Sequence, residues 1–205
     1  MKQSIQEQIE ETSLQYFSEQ GFNETSTSEI ALKAGVSEAS IFRIYKTKHD
    51  LYMHVLTKYG NQANLNTNLI FTKITFEDLE YDLEIIVEYF IKFYFDNIHI
   101  TRIYISNAIQ FNEIMGFNFL IYPQLRDFLE KYFEEMSSRG LVDGSSGPEL
   151  TKLITASVLQ DIIILTTFEK LEVLNEATEE KLREKWKKII KELGMLFGWH
   201  SVERI

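Results

Sequence analysis

Residues 26–48 constrain the fold more than any other stretch, because they contain the start and stop signals of two short helices. Ser26 is a favourable N-cap, and Glu29 follows it at the spacing of a capping box. Gly35 suits the left-handed backbone conformation that ends many helices. Ser37 then provides the N-cap of a second helix, so the stretch predicts a helix, a tight turn and another helix.

Small and apolar side chains within this stretch allow the two helices to pack closely. Ala31 and Ala34 lie on one face of the first helix and leave room for a neighbouring helix. Val36 and Ile41 are placed to fill the angle between the two helices, the second of which is predicted over residues 38–44. The pattern is that of a helix-turn-helix, whose second helix enters the major groove of DNA.

The first 55 residues resemble the N-terminal domain of the TetR (tetracycline-repressor-like) family of transcriptional regulators. The matching residues are Phe17, Gly21, Phe22, Thr25, Ser26, Ile30, Ala31, Ala34, Gly35, Val36, Ser37, Ile41, Phe42, Tyr45, Lys48 and Leu51. The resemblance implies an all-α fold, with a three-helix DNA-binding domain followed by a helical ligand-binding and dimerisation domain.

Periodic apolar residues and only two prolines also favour an all-α chain. We predict a DNA-binding domain over residues 1–48, a connecting helix over 49–66, and a ligand-binding and dimerisation domain over 67–205. Further helices are predicted over residues 3–20, 76–95, 98–115, 122–138, 149–173 and 178–197. The fourth helix is expected to begin at Lys48, with Thr47 as its N-cap.

The resemblance and the exposed positions of the second short helix define a candidate DNA-binding set. Its members are Ser26, Thr27, Ser37, Glu38, Ala39, Ser40, Phe42, Arg43, Lys46 and Lys48. Arg43 is suited to a bidentate pair with guanine, and Glu38 to accepting a hydrogen bond from cytosine. The resemblance implies that Ser26, Thr27 and Lys48 contact phosphate. Phe42 and Ile44 replace residues that usually carry a hydrogen-bond donor in the family, so fewer backbone contacts are expected.

The net charge of −10 is unusual for a protein that binds nucleic acid. Its distribution is more informative than its sum, because residues 33–48 carry a net charge of +3. This basic segment coincides with the helix-turn-helix and is therefore expected to face phosphate.

No catalytic motif, metal-binding spacing or phosphate-binding glycine loop is present, so we expect no enzyme activity, cofactor or metal. The chain has no cysteine, and its four histidines are scattered along it. It begins without a signal-like segment and has no uninterrupted apolar run of membrane-spanning length, so a cytoplasmic protein with no membrane partner is expected.

Twelve of the fifteen phenylalanines follow residue 60, where ordinary core packing and the lining of an apolar ligand cavity are both possible explanations. Asp161, within an apolar helix, either faces solvent or a dimer partner, or meets a cationic group of a ligand. The candidate ligand-binding residues are Phe90, Tyr94, Tyr104, Asn107, Phe111, Phe119, Tyr122, Phe128 and Thr167.

Taken together, the sequence predicts a homodimeric repressor, paired through its last two helices. A small, largely apolar effector is expected to release it from a palindromic double-stranded DNA operator. The alternative is a TetR-like module that acts through protein partners instead of DNA.

Overall fold

The structure is a computed structural model of the chain, and it describes residues 4–63, 67–107, 122–169, 174–197 and 199. Every regular element in these ranges is a helix, which confirms the predicted all-α fold. In chain order the helices are α1 (Ile5–Glu24), α2 (Thr27–Ala34), α3 (Glu38–Ile44), α4 (Lys48–Gln62), α5 (Thr67–Phe71), α6 (Leu79–Asp96), α7 (Ile98–Asn107), α8 (Tyr122–Ser138), α9 (Ser146–Phe168) and α10 (Glu176–Phe197).

The chain divides into two compact units that are not continuous in sequence. The first comprises residues 1–64 and 97–115, and the second residues 65–96 and 116–205. The predicted division placed α7 in the C-terminal domain and α4 in a connector, whereas both pack within the first unit. The reason is burial: Ile100 and Ile103 of α7 join the same apolar core as Phe17 of α1 and Leu51 of α4.

Local hydrogen bonds place the helix ends of the 26–48 stretch where the sequence predicts them. The Ser26 hydroxyl accepts from the Glu29 backbone N–H at 3.2 Å, and the Glu29 carboxylate accepts from the Ser26 N–H at 3.0 Å. Gly35 ends α2 with φ = 68°, and Ser37 caps α3 by accepting from the Ser40 N–H at 3.2 Å. These contacts connect residues three apart, which is why the sequence alone locates them.

Helix ends outside this stretch differ from the prediction where backbone geometry overrides the apolar pattern. α1 extends to Glu24 although Gly21, at φ = 83°, leaves the helical conformation within it. α6 begins only at Leu79, because the backbone of Phe76 has φ = 56° and cannot be helical. α9 begins at Ser146, upstream of Pro148, which is tolerated in a first helical turn.

Glu10, only 1% exposed, is a buried carboxylate at the centre of the first unit. It accepts hydrogen bonds from Gln6 Nε2 at 2.8 Å, Lys58 Nζ at 2.6 Å and the Tyr45 hydroxyl. His54 Nε2 lies 2.7 Å from the same carboxylate. The cluster therefore connects α1 with α4 and with Tyr45, the residue that caps the C-terminus of α3.

The donors around Glu10 determine its ionisation. Burial alone would raise the pKa of Glu10, but hydrogen bonds from Lys58, Tyr45 and Gln6 outweigh burial and lower the pKa from 4.5 to about 2. In the same cluster, burial and the neighbouring Glu10 raise the pKa of the Tyr45 hydroxyl, which stays protonated as a donor. Glu10 is therefore a charged group that the fold stabilises in its ionised form.

A second buried carboxylate, Asp82, organises the start of α6 in the second unit. It accepts from the backbone N–H groups of Thr75 at 2.6 Å and Phe76 at 2.7 Å, and from the Tyr132 hydroxyl of α8 at 3.0 Å. These bonds hold the left-handed Phe76 backbone in place and join α6 to α8. The sequence analysis did not identify Asp82, because its partner on α8, Tyr132, lies fifty residues away.

Asp161 makes contacts within the chain that the sequence analysis did not consider. Its carboxylate accepts from Lys185 Nζ and from Trp186 Nε1, the latter at 3.1 Å, so it joins α9 to α10 within one chain. In the rest of the second unit, α10 packs along α6 and α8 along α9.

α9 is the one described helix that is long and apolar enough to cross a membrane by length and composition. In its most apolar window, 39% of the residues are buried inside the chain. Such a helix is also typical of protein cores and subunit interfaces, so α9 is weak evidence for a membrane span.

We predict that Glu10→Gln lowers the free energy of unfolding by about 3 kcal/mol near neutral pH, the equivalent of the shift in pKa. Because the folded-state pKa is depressed, this stabilisation is present above the unfolded-state pKa of about 4.5 and is lost as pH falls towards 2. The measurement is urea unfolding between neutral pH and pH 3. The wild type should lose its advantage over the variant as the pH falls.

Glu11→Gln is the matched control, since it removes an exposed carboxylate from the neighbouring position. It should change the free energy of unfolding by less than about 0.5 kcal/mol. A constant difference between wild type and Glu10→Gln across this pH range would contradict the assignment of Glu10 as a stabilised carboxylate.

Candidate nucleic-acid interface

The packing of α2 and α3 determines which side of α3 reaches solvent. Ile30 of α2 and Ile41 of α3 are fully buried, and Ala31 is 4% exposed. The Val36 N–H donates to the Ala31 carbonyl at 3.0 Å, which closes the turn directly after Gly35. With Ile41 directed into the core, the opposite side of α3 faces outwards.

The outward side of α3 carries most of the predicted base-reading residues. Glu38, Ala39 and Arg43 are exposed, Phe42 is 45% exposed, and Ser40 is half-buried. This face combines a fork of donors, an acceptor and two apolar groups, which is the chemistry that recognises base edges. Ile44, at the end of α3, is also exposed at 37%.

The hydroxyl groups of the candidate DNA-binding set have partners within the protein. The Ser26 hydroxyl donates to the Glu29 carboxylate at 2.6 Å, and Ser37 shares a hydrogen bond with the Ser40 hydroxyl at 2.8 Å. The Thr27 hydroxyl donates to the Glu38 carboxylate at 2.6 Å, which joins the start of α2 to the start of α3. The Thr27–Glu38 bond orients the two helix N-termini relative to each other.

The two lysines near the end of the helix-turn-helix have different surroundings. Lys46 is exposed, whereas Lys48 is partly buried. Lys48 Nζ donates to the carbonyls of Phe22 at 2.8 Å and Thr25 at 2.9 Å. Among the basic residues of the 33–48 segment, Lys33, Arg43 and Lys46 are the exposed ones.

The described members of the predicted ligand set belong to both units. Phe90 and Tyr94 of α6 and Phe128 of α8 are buried in the core of the second unit. Tyr104 belongs to the first unit, where its hydroxyl donates to the Leu56 carbonyl at 3.1 Å. Thr167 is exposed on α9.

Four members of the predicted ligand set have no described side chain. Phe111 and Phe119 lie outside the described residues, while only the helical backbone of Asn107 and Tyr122 is described. The ligand assignment therefore stays a prediction.

The sequence analysis missed a groove between α6 and α10 in the second unit. Its volume is about 110 Å³, and it is lined by Glu84, Val87, Glu88, Ile91, Glu180, Arg183, Trp186, Lys187 and Ile190. The apolar members of this lining come from the facing sides of the two helices. Because those helices are far apart in sequence, periodicity alone cannot reveal the groove.

Within the described residues, no group of three or more acidic, histidine or cysteine side chains is placed to hold a metal ion.

Comparison with known proteins gives an independent test of this arrangement. Residues 9–55 match the family model described as bacterial regulatory proteins, tetR family. This range contains α2 and α3 and parts of α1 and α4. No curated protein matches the chain.

Solved structures match almost the whole chain at low sequence identity. The ketosteroid transcriptional regulator KstR2 of Mycobacterium tuberculosis aligns with a TM-score of 0.67 and 14% identity, covering 93% of this chain and 94% of that one. AibR in complex with isovaleryl coenzyme A and operator DNA aligns with a TM-score of 0.64 and 18% identity, covering 96% of this chain and 100% of that one. A TetR-family transcriptional regulator structure from Mesorhizobium loti aligns with a TM-score of 0.63 and 17% identity, covering 94% and 96%.

The family match locates the helix-turn-helix within residues 9–55, and the structural matches show a similar fold across both units. The N-terminal domain is therefore a TetR-family domain, and the chain as a whole has the fold of the TetR-family transcriptional regulators.

Proposed function

We propose that the chain is a ligand-responsive repressor that binds operator DNA through α3 and is released by a small effector. The observation that carries this proposal is the outward face of α3, where an arginine, a glutamate and two apolar side chains stand exposed together. TetR-family regulators are generally DNA-binding proteins rather than enzymes, and we extend that description to this chain. Its place of action would be the cytoplasm, where the DNA lies.

The exposed residues of α3 would recognise different bases. Arg43 would donate two parallel hydrogen bonds to guanine, and Glu38 would accept from the amino group of cytosine. Ala39 and Phe42 would contact the methyl group of thymine, a contact that needs no hydroxyl group. The replacement of a donor by Phe42 would therefore shift this position from backbone contact towards base contact.

Phosphate contacts would position α3 in the groove without reading the sequence. Ser26 and Thr27 lie at the N-terminus of α2, where the helix dipole attracts anions, and Ser37 lies at the N-terminus of α3. The exposed ammonium of Lys46 would add a point charge near the end of α3. These contacts account for the basic segment in an otherwise acidic chain.

The protein would act as a homodimer, because one helix-turn-helix covers only half of an operator. The last two helices carry large apolar side chains that are exposed in the single chain. They are Leu153, Ile164 and Phe168 on α9 and Met195, Leu196 and Phe197 on α10. Pairing these helices with their copies would bury this surface, and a two-fold dimer would match a palindromic operator.

The effector would be small and largely apolar. The abundance of aromatic side chains after residue 60 supports this choice. The likeness to AibR, whose structure holds isovaleryl coenzyme A and operator DNA, supports an acyl group as the apolar part of the effector. Release requires that the effector bind the DNA-incompetent form more tightly than the competent form. The effector and the operator DNA then weaken each other's binding by the same factor.

An alternative is that the module acts through a protein partner. The exposed apolar side chains of Phe42 and Ile44 favour it, because such groups also suit protein surfaces. A gel shift with the DNA upstream of the chain's own gene separates the two functions. A retarded complex supports the repressor, whereas no complex at low salt supports the protein-binding module.

We predict that Arg43→Ala costs about 1–3 kcal/mol of specific binding and relaxes the base preference at one position of each half-site. The physical reason is the loss of the bidentate pair with guanine. The measurement compares dissociation constants for the preferred duplex and for single-base variants of it.

Arg43→Lys is the matched control, because it keeps the charge but loses the planar fork of donors. It should retain binding to random duplexes while losing most of the base preference. Equal losses on preferred and random duplexes for Arg43→Ala would identify Arg43 as a phosphate contact instead.

We predict that a compound with an apolar acyl group raises the melting temperature, because a ligand that binds only the folded state stabilises it by mass action. The measurement is a thermal melt with a panel of acyl compounds that includes isovaleryl coenzyme A. Each stabilising compound should also weaken DNA binding, by the factor by which DNA weakens binding of the compound. A compound that stabilises the protein but leaves DNA affinity unchanged would contradict its role as effector.

A further inference from the structure

We propose that Lys48 is a positioning residue and not a phosphate contact. It fixes the helix-turn-helix by joining the chain just before α2 to the start of α4. The inference rests on the proposed DNA-binding function. It departs from the role that the family resemblance implies for this lysine, and it is derived from the surroundings of one ammonium group.

The Lys48 ammonium is directed towards the end of α1. Its Nζ donates to the carbonyl oxygens of Phe22 at 2.8 Å, Thr25 at 2.9 Å and Asn23 at 3.4 Å. It also lies 4.4 Å from the centre of the Phe22 ring, within the range of a cation–π interaction. An ammonium group has three protons, and three carbonyls surround this one.

The end of α1 explains why these carbonyls accept a cation. The last carbonyls of a helix lack partners within the helix, and the helix dipole makes this end partially negative. Gly21, with φ = 83°, also interrupts the helical backbone just before Phe22. The chain therefore needs an external donor at residues 22–25, and Lys48 supplies it.

The position of Lys48 in the chain makes this contact important for α3. Residues 22–25 lead directly into Ser26, the N-cap of α2, and Lys48 is the first residue of α4. One side chain thus joins the segment that enters the helix-turn-helix to the segment that leaves it. The Phe22 ring, in turn, packs 4.9 Å from the ring of the buried Tyr52 in α4, which anchors the same point to the core.

A phosphate contact would require Lys48 to give up carbonyl contacts at the end of α1. Charge-assisted hydrogen bonds to these carbonyls would then be replaced by charge-assisted hydrogen bonds to phosphate. The carbonyls at the end of α1 would be left without this donor. Lys46, two residues earlier and exposed, can meet phosphate without such a loss. The charge at Lys46 and the charge at Lys48 are therefore assigned different roles.

The test compares Lys48→Met with Lys46→Met, because methionine keeps an unbranched apolar side chain and removes the charge. The probe is a duplex of about 30 base pairs, roughly three helical turns, selected by the wild-type chain from a random pool. Dissociation constants are measured at several salt concentrations, at a temperature where thermal melts show each variant to be folded.

Lys48→Met should weaken binding roughly tenfold at every salt concentration, with the slope of log K against log salt unchanged. Lys46→Met should reduce that slope by about 0.9, the value for one phosphate contact. A slope reduced by a similar amount in Lys48→Met would overturn the inference and identify a phosphate contact. A lower melting temperature with unchanged affinity would also overturn it, because the role would then be stability alone.

Failure of the proposed function gives a separate result. If the wild-type chain selects no duplex from the pool, both DNA binding and the positioning role of Lys48 are rejected. If the wild type selects a duplex and only the result for Lys48→Met is contrary, DNA binding stands and this inference falls.

Discussion

The buried carboxylate of Glu10 is the interaction on which the first unit depends. A charge removed from water is costly unless donors surround it, and Glu10 has donors from α1, from Tyr45 and from α4. Tyr45 directly follows α3, so the position of α3 is tied to the helices that support it. Lys48 contacts the carbonyls of Phe22 and Thr25 before α2, so the two contacts hold the chain before and after the helix-turn-helix.

The second unit is also joined by buried carboxylates. Asp82 links the start of α6 to Tyr132 of α8, and Asp161 links α9 to Lys185 and Trp186 of α10. Such bonds have directional requirements that apolar packing lacks, so they favour one arrangement of neighbouring helices over others. An effector that binds this unit would have to break these contacts or change the structure while keeping them.

The features that the sequence predicted and those it missed differ in the range of the interactions. The capping box of Ser26 and Glu29 and the left-handed Gly35 involve residues close together in the chain, so composition and spacing locate them. Lys58, which contacts Glu10, Tyr132, which contacts Asp82, and the Thr25 carbonyl, which Lys48 contacts, lie 48, 50 and 23 residues away, and a charged residue in a helix does not reveal such partners. The membership of α7 in the first unit was missed for the same reason, because its apolar stripe fits any helical core.

Methylation interference on a duplex selected by the wild-type chain tests the central claim most directly, because methyl groups on guanine N7 block the major groove without changing the phosphates. If α3 reads bases there in a two-fold dimer, methylated guanines should prevent binding at two symmetric half-sites, centred about 10 base pairs or a multiple of that distance apart. Binding that is indifferent to methylation at every guanine would contradict the account, since the exposed face of α3 would then not lie in the major groove.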